Sequence, residues 1–214
     1  MNQQKLNNIK FFVRTTGERK FDYDIEFELL VDKRHDPVGS FIRQLKIISG
    51  WDTVLLEDDL VLCKNFKEII ENIISEYPNS VINFFTMPNI YFSTHFDCRF
   101  SSNQCTYYPR GIALKIALEM EEVRKILPNA QYDILQRTAM ERLGILHLMY
   151  RPCLVQHLDN DSFINNAIGL RRSIYFKDYL DYLDIEYEDA FTYENKKKLT
   201  ELMNSMDYFI NKSR

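Results

Sequence analysis

The most informative absences in this 214-residue sequence are the glycine-rich phosphate-binding motifs. Neither G-x-x-x-x-G-K-[ST] nor G-x-G-x-x-G occurs, and the sequence has only six glycines. Both patterns place glycines where backbone N–H groups approach a phosphate. Their absence therefore removes the main support for a P-loop nucleotide hydrolase or a dinucleotide-binding domain of the usual kind.

Paired cysteines, a basic excess and long apolar runs are also missing. The four cysteines, Cys63, Cys98, Cys105 and Cys153, show no C-x-x-C spacing, which argues against a zinc site and favours reduced, mostly buried thiols. The net charge of -4 argues against a broad basic surface for nucleic acid but leaves room for a local one. Because no run approaches membrane-spanning length and the N-terminus lacks a signal-peptide core, we expect a cytoplasmic protein of bacterial or phage type.

The sequence does contain enough apolar residues for one substantial core. Hydrophobic residues make up 45% of the chain, which at this length favours one domain with an appendage. Strand-like and helix-like apolar patterns alternate, so an α/β fold is predicted. The predicted strands are residues 9–14, 23–31, 52–56, 81–86, 106–108 and 145–150. The predicted helices are residues 41–48 after an N-cap at Ser40, a helix capped by Asn65, residues 112–127, residues 133–143 before Gly144, and two helices after residue 173.

Three consecutive carboxylates, Glu57, Asp58 and Asp59, follow the predicted strand 52–56. Adjacent anions repel one another and resist burial, so their place at the end of a buried strand predicts a cation there. Alternation along the strand puts Glu57 and Asp59 on one side and Asp58 on the other, which gives an acid-x-acid pair able to share one hard divalent ion. A solvated acidic turn is the alternative. Ligands of α/β sheets gather at the carboxyl ends of strands, which favours the site.

Several separated segments together resemble one family. They are VRTTGER after the first predicted strand, DPVGSFIRQL, LLEDDLVLCKNF with the acids, PRGIAL, the pair Tyr132 and Asp133, and RPCLVQHLDNDS. From about residue 9 to about residue 176, the sequence resembles the small phage and bacterial nucleotide-diphospho-sugar glycosyltransferases of the GT-A fold. The acidic triplet before a helix that begins with phenylalanine, and the LVQH-x-x-x-x-S element, are the specific parts of the resemblance.

The resemblance implies a GT-A-like three-layer α/β/α fold with a mixed sheet. Residues 1–172 would be the catalytic domain, and residues 173–214 a helical extension packed on it. The implied activity is the transfer of a sugar from a nucleotide diphosphate donor, with a UDP-sugar favoured, to a hydroxyl group. The implied cofactor is a divalent cation, Mn2+ or Mg2+, and the charge argument agrees because a departing diphosphate carries negative charge that a metal can offset.

Carried over residue by residue, the resemblance implies that Asp59 is a metal ligand. His157 would be a second ligand or a diphosphate contact, although a lone histidine after an apolar strand is more often a core residue. Glu57 or Asp58 would help to hold the ribose or a metal-bound water. These four residues form the implied metal site.

The donor nucleotide would be contacted by Arg14, Thr15 and Arg19, although an ordinary basic turn has the same composition. Arg171 and Arg172 would close over the diphosphate as a clamp. The alternative for this pair is a solvated patch of charge.

Asp133 stands where the resemblance places the general base for the acceptor. Many relatives have two acids there, whereas this chain has Tyr132 before Asp133. Because an acid at a helix N-terminus is a common capping feature, that explanation stays open for Asp133.

Two other functions and the nature of the acceptor also stay open. A GT-A-like module without activity would bind a glycan or a protein, and a metal-dependent nucleotidyltransferase or phosphohydrolase would also use clustered acids. The acceptor would be a hydroxymethylated DNA base, a glycan or a protein. Local positive charge at residues 196–198 suits DNA, whereas the acidic balance of the chain argues mildly against duplex DNA.

Overall fold

The computed structural model describes residues 9–32, 36–85, 94–97, 103–158 and 172–212. The strands are β1 (Lys10–Thr15), β2 (Glu28–Val31), β3 (Thr53–Glu57), β4 (Leu60–Leu62), β5 (Val81–Asn83), β6 (His95–Asp97), β7 (Cys105–Tyr108), β8 (His147–Met149) and β9 (Val155–His157). The helices are α1 (Pro37–Ile48), α2 (Phe66–Glu76), α3 (Ile112–Ile126), α4 (Tyr132–Arg142), α5 (Lys177–Leu183) and α6 (Tyr193–Lys212), with a short 3₁₀ helix at Tyr187–Phe191.

Seven of these strands form a mixed sheet in the order β2-β1-β3-β7-β5-β8-β6. Strands β1, β2, β3, β5 and β8 run parallel to one another, and β7 and β6 run antiparallel to them. Since β1 and β3 are parallel neighbours, their carboxyl ends meet at one edge of the sheet. The first residue of antiparallel β7, Cys105, pairs with Leu56 near the same edge.

Helices cover both faces of the sheet, which gives the three-layer α/β/α arrangement that the sequence predicted. Alternation along β3 sends Val54 and Leu56 to one face and Leu55 to the other. The first face packs against α2, α5, the 3₁₀ helix and α6. The second packs against α1, α3 and α4. Such double coverage explains why β1 and β3 are nearly continuous apolar sequence.

The predicted start of one helix was wrong, and the predicted cap of another makes no side-chain hydrogen bond. Helix α1 begins at Pro37, not at residue 41, and Asp36 rather than Ser40 caps it by accepting the Gly39 N–H at 3.0 Å. Proline suits the first helical position because its missing N–H would be unpaired there. Helix α2 does begin after Asn65, but Asn65 has a φ of 57° and its side chain makes no capping hydrogen bond.

The second predicted strand is shorter in the structure than in the sequence analysis. It was expected over residues 23–31, but only Glu28–Val31 pair with β1. The rings of Phe21, Tyr23 and Phe27 instead pack on one another, with centroids 5.2 to 5.9 Å apart. Aromatic residues that favour a strand therefore build a compact loop beside β1.

The C-terminal helices contribute to the core on one face of the sheet. Leu199 of α6 is fully buried, and Leu202 and Met203 lie against the same cluster.

Within the described ranges, no helix is both long enough and apolar enough to cross a membrane. Cys63, Cys105 and Cys153 are buried free thiols, as predicted, and Cys98 lies outside the described residues.

Removal of the α1 cap should destabilise the protein. We expect Asp36→Ala to lower the free energy of unfolding by about 1 kcal/mol, because the Gly39 N–H loses its acceptor. Asp36→Asn keeps an acceptor and should stay within about 0.5 kcal/mol of the wild type. Chemical denaturation of the three proteins measures both changes. Equal losses in the two variants would show that the carboxylate charge, not the cap, is what matters at this position.

Candidate functional site

The acidic triplet at the end of β3 is withdrawn from solvent, with Asp58 and Asp59 buried and the Glu57 side chain 14% exposed. Asp58 is 8% exposed and Asp59 is 6% exposed, so the alternative of a solvated acidic turn is wrong. The parallel register places Arg14 of β1 beside Glu57 of β3. Three carboxylates in so little solvent require positive charge or hydrogen bonds around them.

Asp58 is hydrogen-bonded by residues of β1 and of the loop that follows it. Its Oδ2 accepts the Thr15 hydroxyl at 2.5 Å, and its Oδ1 accepts Arg19 Nη1 at 3.0 Å. The Thr15 oxygen also accepts the Gly17 N–H at 2.9 Å, where Gly17 has a φ of 84°. The turn after β1 is thereby folded back so that Arg19 reaches the carboxylates.

Asp59 contacts both Arg19 and the histidine that the sequence singled out. Arg19 Nη1 lies 2.5 Å from its Oδ2, and His157 Nε2 lies 3.3 Å from the same oxygen. Burial alone would raise the pKa of Asp59, but the interactions with His157 and Arg19 outweigh it and lower the pKa. The carboxylate is therefore kept ionised.

Glu57 contacts a different pair of residues. Tyr132 donates its hydroxyl to Glu57 Oε1 at 3.2 Å, and Arg14 Nη1 lies 3.7 Å from the same oxygen. The Arg14 guanidinium also lies over the rings of Phe41 and Tyr132, at 4.9 and 4.6 Å from their centroids. Burial lowers the pKa of Arg14, but Tyr132 and Glu57 more than compensate and raise it. Arg14 is thus a cation that its contacts with the two rings hold beside Glu57.

The turn between β3 and β4 is fixed by a residue that the sequence analysis did not single out. The Tyr23 hydroxyl donates to the Glu57 carbonyl oxygen at 2.7 Å and accepts the Leu60 N–H at 3.2 Å. These two atoms flank Asp58 and Asp59 in the chain. An aromatic residue in a loop gives no sequence signal for this contact, because the two segments lie 37 residues apart.

His157 reaches the acids through a second, two-stranded sheet. Strand β4 pairs with β9 in antiparallel register, with Leu60 opposite His157. Leu158 N–H donates to the Asp59 carbonyl oxygen at 2.7 Å. The pairing of β4 with β9 therefore brings the LVQH segment next to the acidic turn, although the two segments are nearly a hundred residues apart in the sequence.

Ligand atoms of Glu57, Asp59 and His157 lie within 4.8 Å of one another. Glu57 and Asp59 thus share one side of the turn, as alternation predicted, and Asp58 points to Thr15. Two carboxylates and an imidazole suit Mn2+ better than Mg2+, because Mg2+ strongly prefers oxygen ligands. The donor set fits the divalent cation that the sequence analysis anticipated.

Buried polar atoms without a hydrogen-bond partner are concentrated near this edge of the sheet. Of fourteen such side-chain atoms in the described residues, eight belong to six residues in or next to the ends of β1, β3, β7 and β9. Those residues are Arg14, Thr16, Asp59, Asn103, Gln104 and His157. Two of the eight atoms, Arg14 Nη1 and His157 Nε2, nevertheless face carboxylate oxygens at 3.7 and 3.3 Å. A buried polar atom left unpaired costs about 1–3 kcal/mol, so such a concentration points to a polar ligand.

The remaining candidate residues are placed less directly. Asp133 lies in the first turn of α4, and its Oδ1 accepts the N–H of Ile134 at 2.9 Å. Its neighbour Tyr132, not Asp133, is the residue of this helix that touches the acids. Arg172 precedes Ser173, whose backbone exchanges two hydrogen bonds with the Gln156 side chain at 2.8 and 2.9 Å. Arg171 lies outside the described residues.

A cavity of about 750 Å³ lies beside the acidic turn. It is lined by residues 21–25, residues 60–68, Glu71 and Leu158. The carboxylates of the triplet do not line it. The cavity is therefore a groove next to the cluster of carboxylates and histidine, and not part of it.

Comparison with known proteins gives no family for this chain, since no family model and no curated protein matches it. The functional conclusion therefore depends on the geometry of the site.

The ionisation of Asp59 should contribute to stability in a pH-dependent way. Its pKa is lowered in the folded protein, so the contribution is present above the unfolded pKa of about 3.9 and is lost as the pH falls through the folded pKa. We expect the difference in unfolding free energy between wild type and Asp59→Asn to shrink from pH 6 to pH 3. Denaturant titrations across that range measure it. A difference that does not change with pH would contradict the assignment.

Mn2+ binding should depend on Asp59. We expect Asp59→Asn to weaken binding of Mn2+ by at least about tenfold, since a carboxamide oxygen carries no charge. Asp52→Asn is the matched control, because Asp52 lies at the opposite end of β3 and accepts Tyr107 and Arg110 there. Titration calorimetry measures both affinities. Equal binding by the three proteins would show that the triplet is not a metal site.

Proposed function

We propose that this protein is a metal-dependent glycosyltransferase that moves a sugar from a nucleotide diphosphate donor to a hydroxyl acceptor. The observation that carries the proposal is the convergence of Glu57, Asp59 and His157 at the carboxyl edge of β3. The same edge holds the unpartnered buried atoms described above. The resemblance of the acidic triplet and of the LVQH segment to GT-A-fold enzymes supplies the class of reaction.

The charge balance of the site supports a diphosphate ligand. Three carboxylates and the guanidiniums of Arg14 and Arg19 leave one net negative charge, which would repel a diphosphate. A bound divalent cation would reverse the sign and leave one net positive charge. Metal and nucleotide diphosphate should therefore bind together, each favouring the other.

Each residue has a distinct part in this mechanism. Glu57, Asp59 and His157 would hold Mn2+, which supplies the positive charge that a departing diphosphate requires. Thr15 orients Asp58, and Arg19 provides a cation from the loop after β1. The low exposure of the acids strengthens each of these interactions by excluding water.

Deprotonation of the acceptor hydroxyl is assigned to Asp133. It lies one residue after Tyr132, whose hydroxyl contacts Glu57, so α4 begins beside the metal ligands. A general base at that position would favour inversion at the anomeric carbon. The acceptor is proposed to be a hydroxymethylated DNA base or a glycan.

A second candidate function is favoured by the contacts of Arg19. This guanidinium contacts both Asp58 and Asp59, so the acids already have a cation without any metal. A GT-A-like module that binds a sugar nucleotide or glycan without turnover would need no cation beyond this arginine. Sugar-nucleotide binding that is independent of Mn2+ and is accompanied by no transfer would select this function.

Turnover can be tested directly with a panel of UDP- and GDP-sugars in Mn2+, offered hydroxymethylpyrimidine DNA and simple glycans. We expect a mass increase of one sugar on an acceptor and release of nucleoside diphosphate. Asp59→Asn should slow transfer by at least about a hundredfold, because metal stabilisation of the leaving group amounts to several kcal/mol. The control variant Asp52→Asn should transfer the sugar at the rate of the wild type.

Other products would identify other enzymes. A nucleotidyltransferase or phosphohydrolase would release pyrophosphate or nucleoside monophosphate instead of nucleoside diphosphate. No transfer by the wild type, together with no effect of Asp59→Asn on donor hydrolysis, would refute the glycosyltransferase proposal.

A further inference from the structure

Asn103 is the most unusual buried polar residue near the candidate site. It is 3% exposed, and among the described residues neither its Oδ1 nor its Nδ2 has a hydrogen-bond partner. A primary amide buried with both ends unpaired destabilises the folded protein unless something outside the chain pairs with it. Nothing in the sequence patterns singled this residue out.

The strand pairing places Asn103 next to the acidic turn. Strand β7 runs antiparallel to β3 with Leu56 opposite Cys105, and the Glu57 N–H donates to the Gln104 carbonyl oxygen at 3.0 Å. Asn103 comes directly before Gln104 in the chain, and Asp58 comes directly after Glu57. Asn103 therefore lies at the edge of the sheet where the acidic turn begins.

The two unpaired ends of the amide define the chemistry of the missing partner. A phosphate oxygen only accepts hydrogen bonds and would satisfy Nδ2 alone, and a metal ion would satisfy Oδ1 alone. A hydroxyl group both donates and accepts, and a pair of neighbouring hydroxyls matches both ends of an amide. Within a nucleotide sugar, two groups complement both ends of the amide: a sugar diol and the donor and acceptor edge of the base.

We propose that Asn103 binds neighbouring hydroxyl groups of the ligand held at the acidic turn and so contributes to selection for a sugar. This rests on the proposed function, because the diol is that of a nucleotide sugar. Two sources share this chemistry, the ribose of the nucleotide and the transferred sugar. Asn103 would be a binding and specificity residue and would take no part in holding the metal.

The first arm of the test measures stability without ligand. Asn103→Leu replaces the amide by an apolar side chain of similar shape, so the melting temperature should be unchanged or higher. Asn83→Leu is the matched control, because Asn83 is equally buried but its Oδ1 accepts the Phe85 N–H at 2.9 Å. That variant should melt at least about 2 °C lower. A similar loss in Asn103→Leu would overturn the proposal, since the amide would then be paired within the protein.

The second arm measures binding by calorimetry in saturating Mn2+, with UDP, 2′-deoxy-UDP and UDP-glucose, and with GDP and GDP-mannose in parallel. We expect Asn103→Leu to bind Mn2+ as the wild type does and to bind the sugar nucleotide at least about tenfold more weakly. An equal loss for nucleoside diphosphate and sugar nucleotide that vanishes for 2′-deoxy-UDP assigns the ribose. An equal loss that persists for 2′-deoxy-UDP would assign the base and overturn the proposal. A loss confined to the sugar nucleotide assigns the transferred sugar.

Failure of this inference and failure of the proposed function give different results. If the wild type binds a nucleotide and Asn103→Leu binds it equally well, only the role of Asn103 is refuted. If the wild type binds none of the five nucleotides in Mn2+, both the proposed function and the role of Asn103 are refuted.

Discussion

Burial of three adjacent carboxylates is the constraint on which the rest of the site depends. Anions at the end of a buried strand cannot be stable unless positive charge and hydrogen bonds are brought to them. The chain supplies Arg14 and Arg19 from the first strand and the loop after it. The parallel pairing of β1 and β3 is therefore as much an electrostatic requirement as a way of burying apolar side chains.

The positions of the three acids along the strand and the turn decide which partners each acid contacts. Arg14 and Glu57 lie in register, and the next row joins Thr15 to Asp58. Asp59 lies beyond the sheet, where the β4 and β9 ladder brings His157 to it. Asp58 and Asp59 share Arg19, but each acid of the triplet also has a partner of its own, and the histidine beside Asp59 helps to lower the pKa of that acid.

The sequence predicted what is local and periodic, and it could not predict what joins distant segments. Continuous apolar runs identified β1 and β3, and the acids marked the edge at which ligand atoms gather. The pairing of β4 with β9 left no signal, because three-residue strands are too short to show a period. The contacts of Tyr23 and Tyr132 depend on tertiary packing, and an isolated tyrosine has many possible partners.

The two arginines that the resemblance assigns to the donor nucleotide lie in different surroundings. Arg14 lies within a strand, against the rings of Phe41 and Tyr132, so its guanidinium cannot leave Glu57 without breaking those contacts. Arg19 lies in a loop outside regular structure and reaches Asp58 and Asp59 from there. The same acids are thus balanced by one arginine that a strand and two rings hold in place, and by another that comes from a loop and is shared between two carboxylates.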